Sequence, residues 1–153
     1  MVPPLDAEAS HPDTETRQKI EEAAVKAVLE AERRLGNSPV LMPPNWPGYD
    51  IESRTPEGEL RLIEVKGKGK ASRVVTLSRT QLLTSLNKPE SWWLALVEVG
   101  EESGSATVYY VRLRNISEPD FGVTSVNYDL QTLSEQAELR MKVGLPDAGS
   151  LLD

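Results

Sequence analysis

The 153-residue chain contains no cysteine, which excludes thiol catalysis, disulfide staples and cysteine-ligated zinc. Its single histidine, His11, lies in a Pro-, Asp- and Glu-bearing N-terminal stretch of disordered character, which argues against a serine-histidine triad or a multi-histidine metal site. No apolar run approaches the ~20 residues of a membrane helix. No charged-then-apolar leader opens the chain, so a cytoplasmic location is expected. No internal repeat is present. Catalysis by such a chain has to rest on carboxylates, lysine and a hard metal ion.

What is present fits one folded domain, with 39% hydrophobic and 27% charged residues. The net charge of −7 repels a polyanion if spread evenly, so a nucleic-acid role needs a local concentration of positive charge. Such an island exists. Between Leu60 and Thr80, the cations Arg61, Lys66, Lys68, Lys70, Arg73 and Arg79 stand against one acid, Glu64.

The first 13 residues hold three prolines and no apolar period, and read as a disordered linker; the domain is expected over 14–142, with 143–153 a flexible tail. From Thr14 to Gly36, apolar Ile20, Ala24, Ala27, Val28, Ala31 and Leu35 recur at helical spacing, and Gly36-Asn37 supplies a stop. Glu21 and Glu32 fall at one edge of that stripe. Pro39–Met42 reads as a short apolar run. Tyr49–Ser53 and Leu60–Lys66 read as strands joined by the turn Thr55-Pro56-Glu57-Gly58. Ser78 with Gln81 three residues on predicts a capping box and a short helix that stops near Lys88-Pro89. Trp92–Val99 and Ala106–Leu113 read as two further strands, and Leu130, Leu133, Ala137 and Met141 predict a final helix. The expected fold is α/β, with a sheet of about five strands flanked by helices.

Polar residues stand out at the centre of this order. Asp50 sits in an otherwise apolar strand, and Glu64 and Lys66 sit in LRLIEVKG, where alternation puts them on one face and Ile63 and Val65 on the other. A Glu-x-Lys triplet is common on solvent faces of strands. Asp50 adds weight, because a hairpin that sets it beside Glu64 converges two hard oxygen ligands suited to Mg²⁺ or Mn²⁺. Lys66 then stands ready to orient or deprotonate a water, or to neutralise charge on phosphate. Lys68, Lys70 and Arg73, interleaved with glycine, form a basic loop suited to DNA phosphates, or else a solvated hairpin tip. The capping box accounts for Gln81. Trp92 and Trp93 cannot both face one core, and Trp46 is the aromatic nearest Asp50 in sequence.

The segments GYDIES, RLIEVKGKGK, VTLSRTQ and LNKP closely resemble the NO VEIN C-terminal domain family, found in plant proteins and at the C-terminal ends of bacterial helicase-like defence proteins. That family looks like a branch of the PD-(D/E)XK nuclease superfamily. The similarity runs from about Ile20 to Leu130, with PDFGVTSVNYDL similar to the closing stretch of the helicase-linked members. It implies a restriction-endonuclease-like core with a central mixed sheet. The superfamily's metal-binding aspartate falls on Asp50, its second acid on Glu64 and its lysine on Lys66. Its first-helix glutamate falls on Glu21, with Glu32 as the alternative.

The resemblance therefore implies a Mg²⁺-dependent DNA endonuclease domain, one module of a helicase-type defence protein. Asp50, Glu64 and the carbonyl of Val65 would hold the ion, Glu21 would support it through water, and Lys66 would assist the attacking water. Many members of the superfamily keep the fold and lose the activity. The rival expectation is a catalytically inactive nucleic-acid-binding or protein-docking domain of the same larger protein.

Overall fold

The computed structural model describes residues 14–69, 72–100 and 104–145. Helix α1 (Thr14–Arg34) is built on alanine, and Ala23, Ala24, Ala27, Val28 and Ala31 are all buried. Alanine has high helix propensity and little bulk, so this face lies close against a sheet. The helix ends in a Schellman motif: Asn37 N–H donates to the Glu32 carbonyl and Gly36 N–H to that of Arg33, with Gly36 at φ +84°.

The main sheet has six strands: β1 (Ser38–Leu41), β2 (Ile51–Arg54), β3 (Leu60–Lys68), β5 (Trp92–Val99), β6 (Ser105–Val111) and β8 (Leu139–Gly144), in the order β1-β2-β3-β5-β6-β8. Only the β3–β5 pair is parallel. Its crossover runs through β4 (Val74–Ser78) and α2 (Arg79–Asn87). Strand β4 pairs antiparallel with β7 (Ser125–Asp129) in a separate two-stranded ribbon, and α3 (Leu130–Glu135) follows. The fold is thus α/β with a mixed sheet, consistent with a restriction-endonuclease-like core.

Two apolar layers flank the sheet. On one face Ala24, Ala27, Val28 and Ala31 of α1 pack on Ile51, Ile63, Ala95, Val97, Val108 and Tyr110. On the other, Leu62, Leu94, Leu96 and Val111 meet Val75, Leu77, Leu82, Leu130 and Leu133 from the ribbon and the two short helices. The two tryptophans divide as alternation requires: Trp92 joins the second layer, and Trp93 packs against the first.

Several expectations are corrected. The sheet has six strands rather than about five. The helix expected to reach Met141 stops at Glu135, and Leu139–Gly144 is a strand whose Val143 is buried in the core. The folded unit therefore continues past residue 142, with Leu145 N–H bonded to the Gly104 carbonyl. The segment after β3 leads to a strand of a different sheet, so Lys68 and Arg73 do not share a simple hairpin tip. The expected linker 1–13, Lys70 and the residues from 146 onward lie outside the described residues. Ser78 and Gln81 form the expected capping box, and Lys88 caps the end of α2.

Candidate active site

Asp50 immediately precedes β2. Its N–H donates to the Ile63 carbonyl and its carbonyl accepts from Met42 N–H, each at 2.8 Å. The turn before it is locked from two sides. The Gly48 carbonyl accepts from Trp92 Nε1 at 2.9 Å, and Gly48, at φ +90°, lies so near Thr84 of α2 that a Cβ there would strike its hydroxyl. Only glycine fits this position.

Past the end of the β2 ladder, Asp50 Oδ2 accepts the Val65 N–H at 2.8 Å, replacing the backbone partner β2 no longer offers. In a strand the N–H and C=O of one residue leave the same edge, so the Val65 carbonyl also projects on the Asp50 side. Glu64 and Lys66 rise from β3 onto the face of Leu94 and Leu96, their partners on β5. Lys66 Nζ lies 3.4 Å from Glu64 Oε2.

Glu64 is only 4% exposed. Burial pushes its carboxyl up to about 8, Asp50 adds to this through its charge and a shared hydrogen bond, and the Lys66 ammonium only partly offsets them. The raised value favours the neutral form of Glu64 at neutral pH in the metal-free protein. Asp50, Glu64 and the Val65 carbonyl are oxygen donors of the hard kind that Mg²⁺ or Mn²⁺ takes, and are the groups here that could hold such an ion. Among the described residues no third carboxylate, histidine or cysteine completes a cluster around them.

The first-helix carboxylates are placed elsewhere. Helix α1 packs against the Ile63, Val65 and Gly67 side of β3, opposite to Glu64 and Lys66. Glu21 is exposed on that far layer, and the structure does not bring it to the pair. Glu32, the alternative, is fully buried but committed. Arg61 grips both its oxygens at 2.9 and 3.0 Å, Tyr110 Oη donates at 2.7 Å and Asn37 Nδ2 at 3.1 Å. It belongs to the packing of α1 on the sheet.

Of the basic loop, Lys68 and Arg73 both line a cleft of about 730 Å³ between the sheet and α3. Lys68 also pairs with Glu98 at 3.2 Å. Trp46 is half-exposed and meets Tyr49 edge-on, with centroids 6.2 Å apart. Gln81 is used by its capping box. Two features of this face escape the sequence, Tyr109 and Arg140 in the same cleft. Tyr109 had a signal, because in ATVYYVRL strand alternation sends Tyr109 and Tyr110 to opposite faces. Arg140 had none while its segment fitted a helical period.

Among the described residues no helix is long and apolar enough to cross a membrane. No curated protein and no solved structure matches the chain. The family model described as Protein NO VEIN, C-terminal, matches residues 20–111. That span runs from α1 into the last residue of β6 and includes Asp50, Glu64 and Lys66. As it covers more than half of the 153 residues, the chain belongs to the NO VEIN C-terminal domain family.

Proposed function

We propose that this domain hydrolyses DNA phosphodiester bonds as a Mg²⁺- or Mn²⁺-dependent endonuclease of the PD-(D/E)XK kind, working as a module of a larger helicase-type bacterial defence protein in the cytoplasm. The observation that carries this reading is the geometry around β3: Asp50 Oδ2 bonded to Val65 N–H, and the buried Glu64 beside Lys66 at 3.4 Å.

Asp50, Glu64 and the Val65 carbonyl would hold the cation, which supplies Lewis-acid polarisation of the phosphate and a more acidic water. Asp50 is aimed by its bond to Val65 N–H and by the Gly48 turn, so the donor set is positioned before any ligand arrives. Lys66, partly exposed beside Glu64, donates to the attacking water or to a phosphate oxygen and offsets the negative charge that builds up there. Attack of water oxygen on phosphorus breaks the bond to the leaving ester oxygen. The water's proton goes to solvent and the leaving oxygen takes one up. Glu21 has no part in this reading.

The test is nicking of supercoiled plasmid with Mg²⁺ or Mn²⁺ by wild type, Asp50→Asn and Glu64→Gln. Wild type should nick, and each variant should lose about 100-fold or more in rate. Equal nicking by variants and wild type would remove the site from the chemistry. No nicking by wild type with either ion would leave the second reading, a catalytically inactive nucleic-acid-binding or protein-docking domain. That reading draws on the structural bond Asp50 already makes to Val65 N–H.

A further inference from the structure

The face of the sheet that carries Glu64 and Lys66 also carries a groove. It begins at Lys66 in a hollow of about 220 Å³ lined by Lys68, Ser72 and Leu130. It opens, past those shared residues, into the 730 Å³ cleft walled by α3 and floored by Tyr109 and Arg140. The register explains the alignment: Lys66 sits opposite Leu96, Leu96 opposite Tyr109, and Tyr109 opposite Arg140. One row of side chains therefore crosses β3, β5, β6 and β8 on a single face.

The chemistry of that row is mixed in a particular way. The Tyr109 ring has Lys68 Nζ at 5.1 Å and Arg140 Cζ at 5.4 Å from its centroid, within cation–π range. The acids at the cleft are held by local bonds, Asp129 by the N–H and hydroxyl of Thr132 at the start of α3, and Glu135 by Gln131. Lys68 has Glu98. Arg73 and Arg140 line the cleft with no carboxylate partner among the described residues.

Two guanidinium groups without a carboxylate partner among the described residues, beside a recessed aromatic and aliphatic floor, suit a ligand that offers anions and flat apolar rings together, as nucleotides do. A duplex presents phosphates outward and hides its base faces in the stack, whereas an unpaired strand offers both to the cleft that α3 walls. We infer that the cleft binds a short unpaired stretch of the DNA strand whose phosphate lies at Glu64 and Lys66, so that the substrate is single-stranded DNA or a frayed end. Cleavage of that strand rests on the nuclease reading; its binding does not.

The experiment is metal-free fluorescence anisotropy with a labelled thymidine oligonucleotide and a blunt hairpin duplex, at several salt concentrations. Wild type should prefer the single strand. The Arg73→Ala/Arg140→Ala double variant should bind it about tenfold more weakly, with a salt slope reduced by about 1.4. Its far-UV circular dichroism and melting point should be unchanged, because both side chains are exposed. Tyr109→Phe should retain binding and Tyr109→Leu should weaken it. Equal affinity for duplex and single strand would overturn the inference, as would a double variant that binds like wild type or a polyglutamate peptide that competes as well as the oligonucleotide. If wild type binds the single strand, the double variant does not, and neither cuts it with Mn²⁺, hydrolysis fails and the cleft stands. Plasmid nicking without single-strand preference would sink the cleft and leave the nuclease.

Discussion

Glu32 reaches the main sheet from α1, while Glu64 leaves β3 on the opposite face; both are buried, and their surroundings treat them in opposite ways. Burial penalises the charge of each. At Glu32 the bidentate Arg61 guanidinium and the Tyr110 hydroxyl outweigh that penalty and hold the carboxyl below its usual range. At Glu64 the nearest cation is one ammonium at 3.4 Å, and Asp50 stands alongside as a second acid. A satisfied buried carboxylate is a packing element. A buried one beside a second acid, with a single ammonium to offset it, is pushed toward its neutral form. Arg61 itself is braced by Trp93 and Tyr110, at 4.9 and 5.3 Å from their ring centroids, whereas Lys66 meets no aromatic ring among the described residues.

The largest effect expected from breaking this contrast is at Glu32. Glu32→Ala would leave the Arg61 charge without its partner under α1, and should cost about 3–5 kcal/mol in urea unfolding. A loss below about 1 kcal/mol would mean that Arg61 finds water, and that the hub is not structural.

Opposite pH signatures come next. Glu64 is protonated in the folded protein up to about 8 but ionises near 4.5 once unfolded, so stability falls as pH rises from 4.5 to 8 and levels off above. Glu64→Gln removes that loss: the metal-free variant should match wild type near pH 4.5 and exceed it by a few kcal/mol near pH 9. Glu32 runs the other way. Its folded value is lowered, so its contribution is complete above the unfolded value of 4.5 and is lost as pH falls through the folded one. Unfolding curves of wild type and Glu64→Gln from pH 4 to 9 check the first, and curves of wild type and Glu32→Gln taken below pH 4.5 check the second; an unchanging gap between wild type and Glu64→Gln would show that folding does not raise the pH at which Glu64 ionises.

Neighbouring residues of β3 sharpen the comparison at smaller scale. A Cβ on Gly67 would lie 3.0 Å from Ala24 Cβ and from Ile20 Cγ2, and 3.2 Å from the Ile20 carbonyl. Gly67→Ala should therefore push α1 off the sheet and cost about 1–3 kcal/mol. Lys66→Met, one residue away on the open face, should change stability at pH 6 by less than about 0.5 kcal/mol, because Glu64 is then mostly neutral. It should also raise the pH at which Glu64 ionises, since Lys66 holds that value down. Thermal melts of both variants measure the difference between the faces; a Lys66→Met penalty as large as that of Gly67→Ala would make Lys66 a packing residue.

The sequence by itself determined what depends on near neighbours. Alternation alone puts Glu64 and Lys66 side by side, and a Ser78-to-Gln81 spacing is enough for a capping box because both bonds span three residues. The alanine stripe and Gly36 likewise place α1 and its end. The pairing of β4 with β7, about 50 residues apart, was invisible in VVTLS and SVNYD, which are too short to show a period. In LRMKVG, Leu139, Met141 and Val143 alternate as a strand, yet Leu130, Leu133, Ala137 and Met141 fit a helix equally well locally, and pairing with β6 decided between them. Tertiary structure also decided which glutamate serves which face. Glu21 and Glu32 share an edge of α1 in projection, but Arg61 lies 29 residues and Tyr110 78 residues from Glu32. Only the closed fold brings those donors to it, and the same closure leaves Glu64 with Asp50, because charges are settled by neighbours in space rather than along the chain.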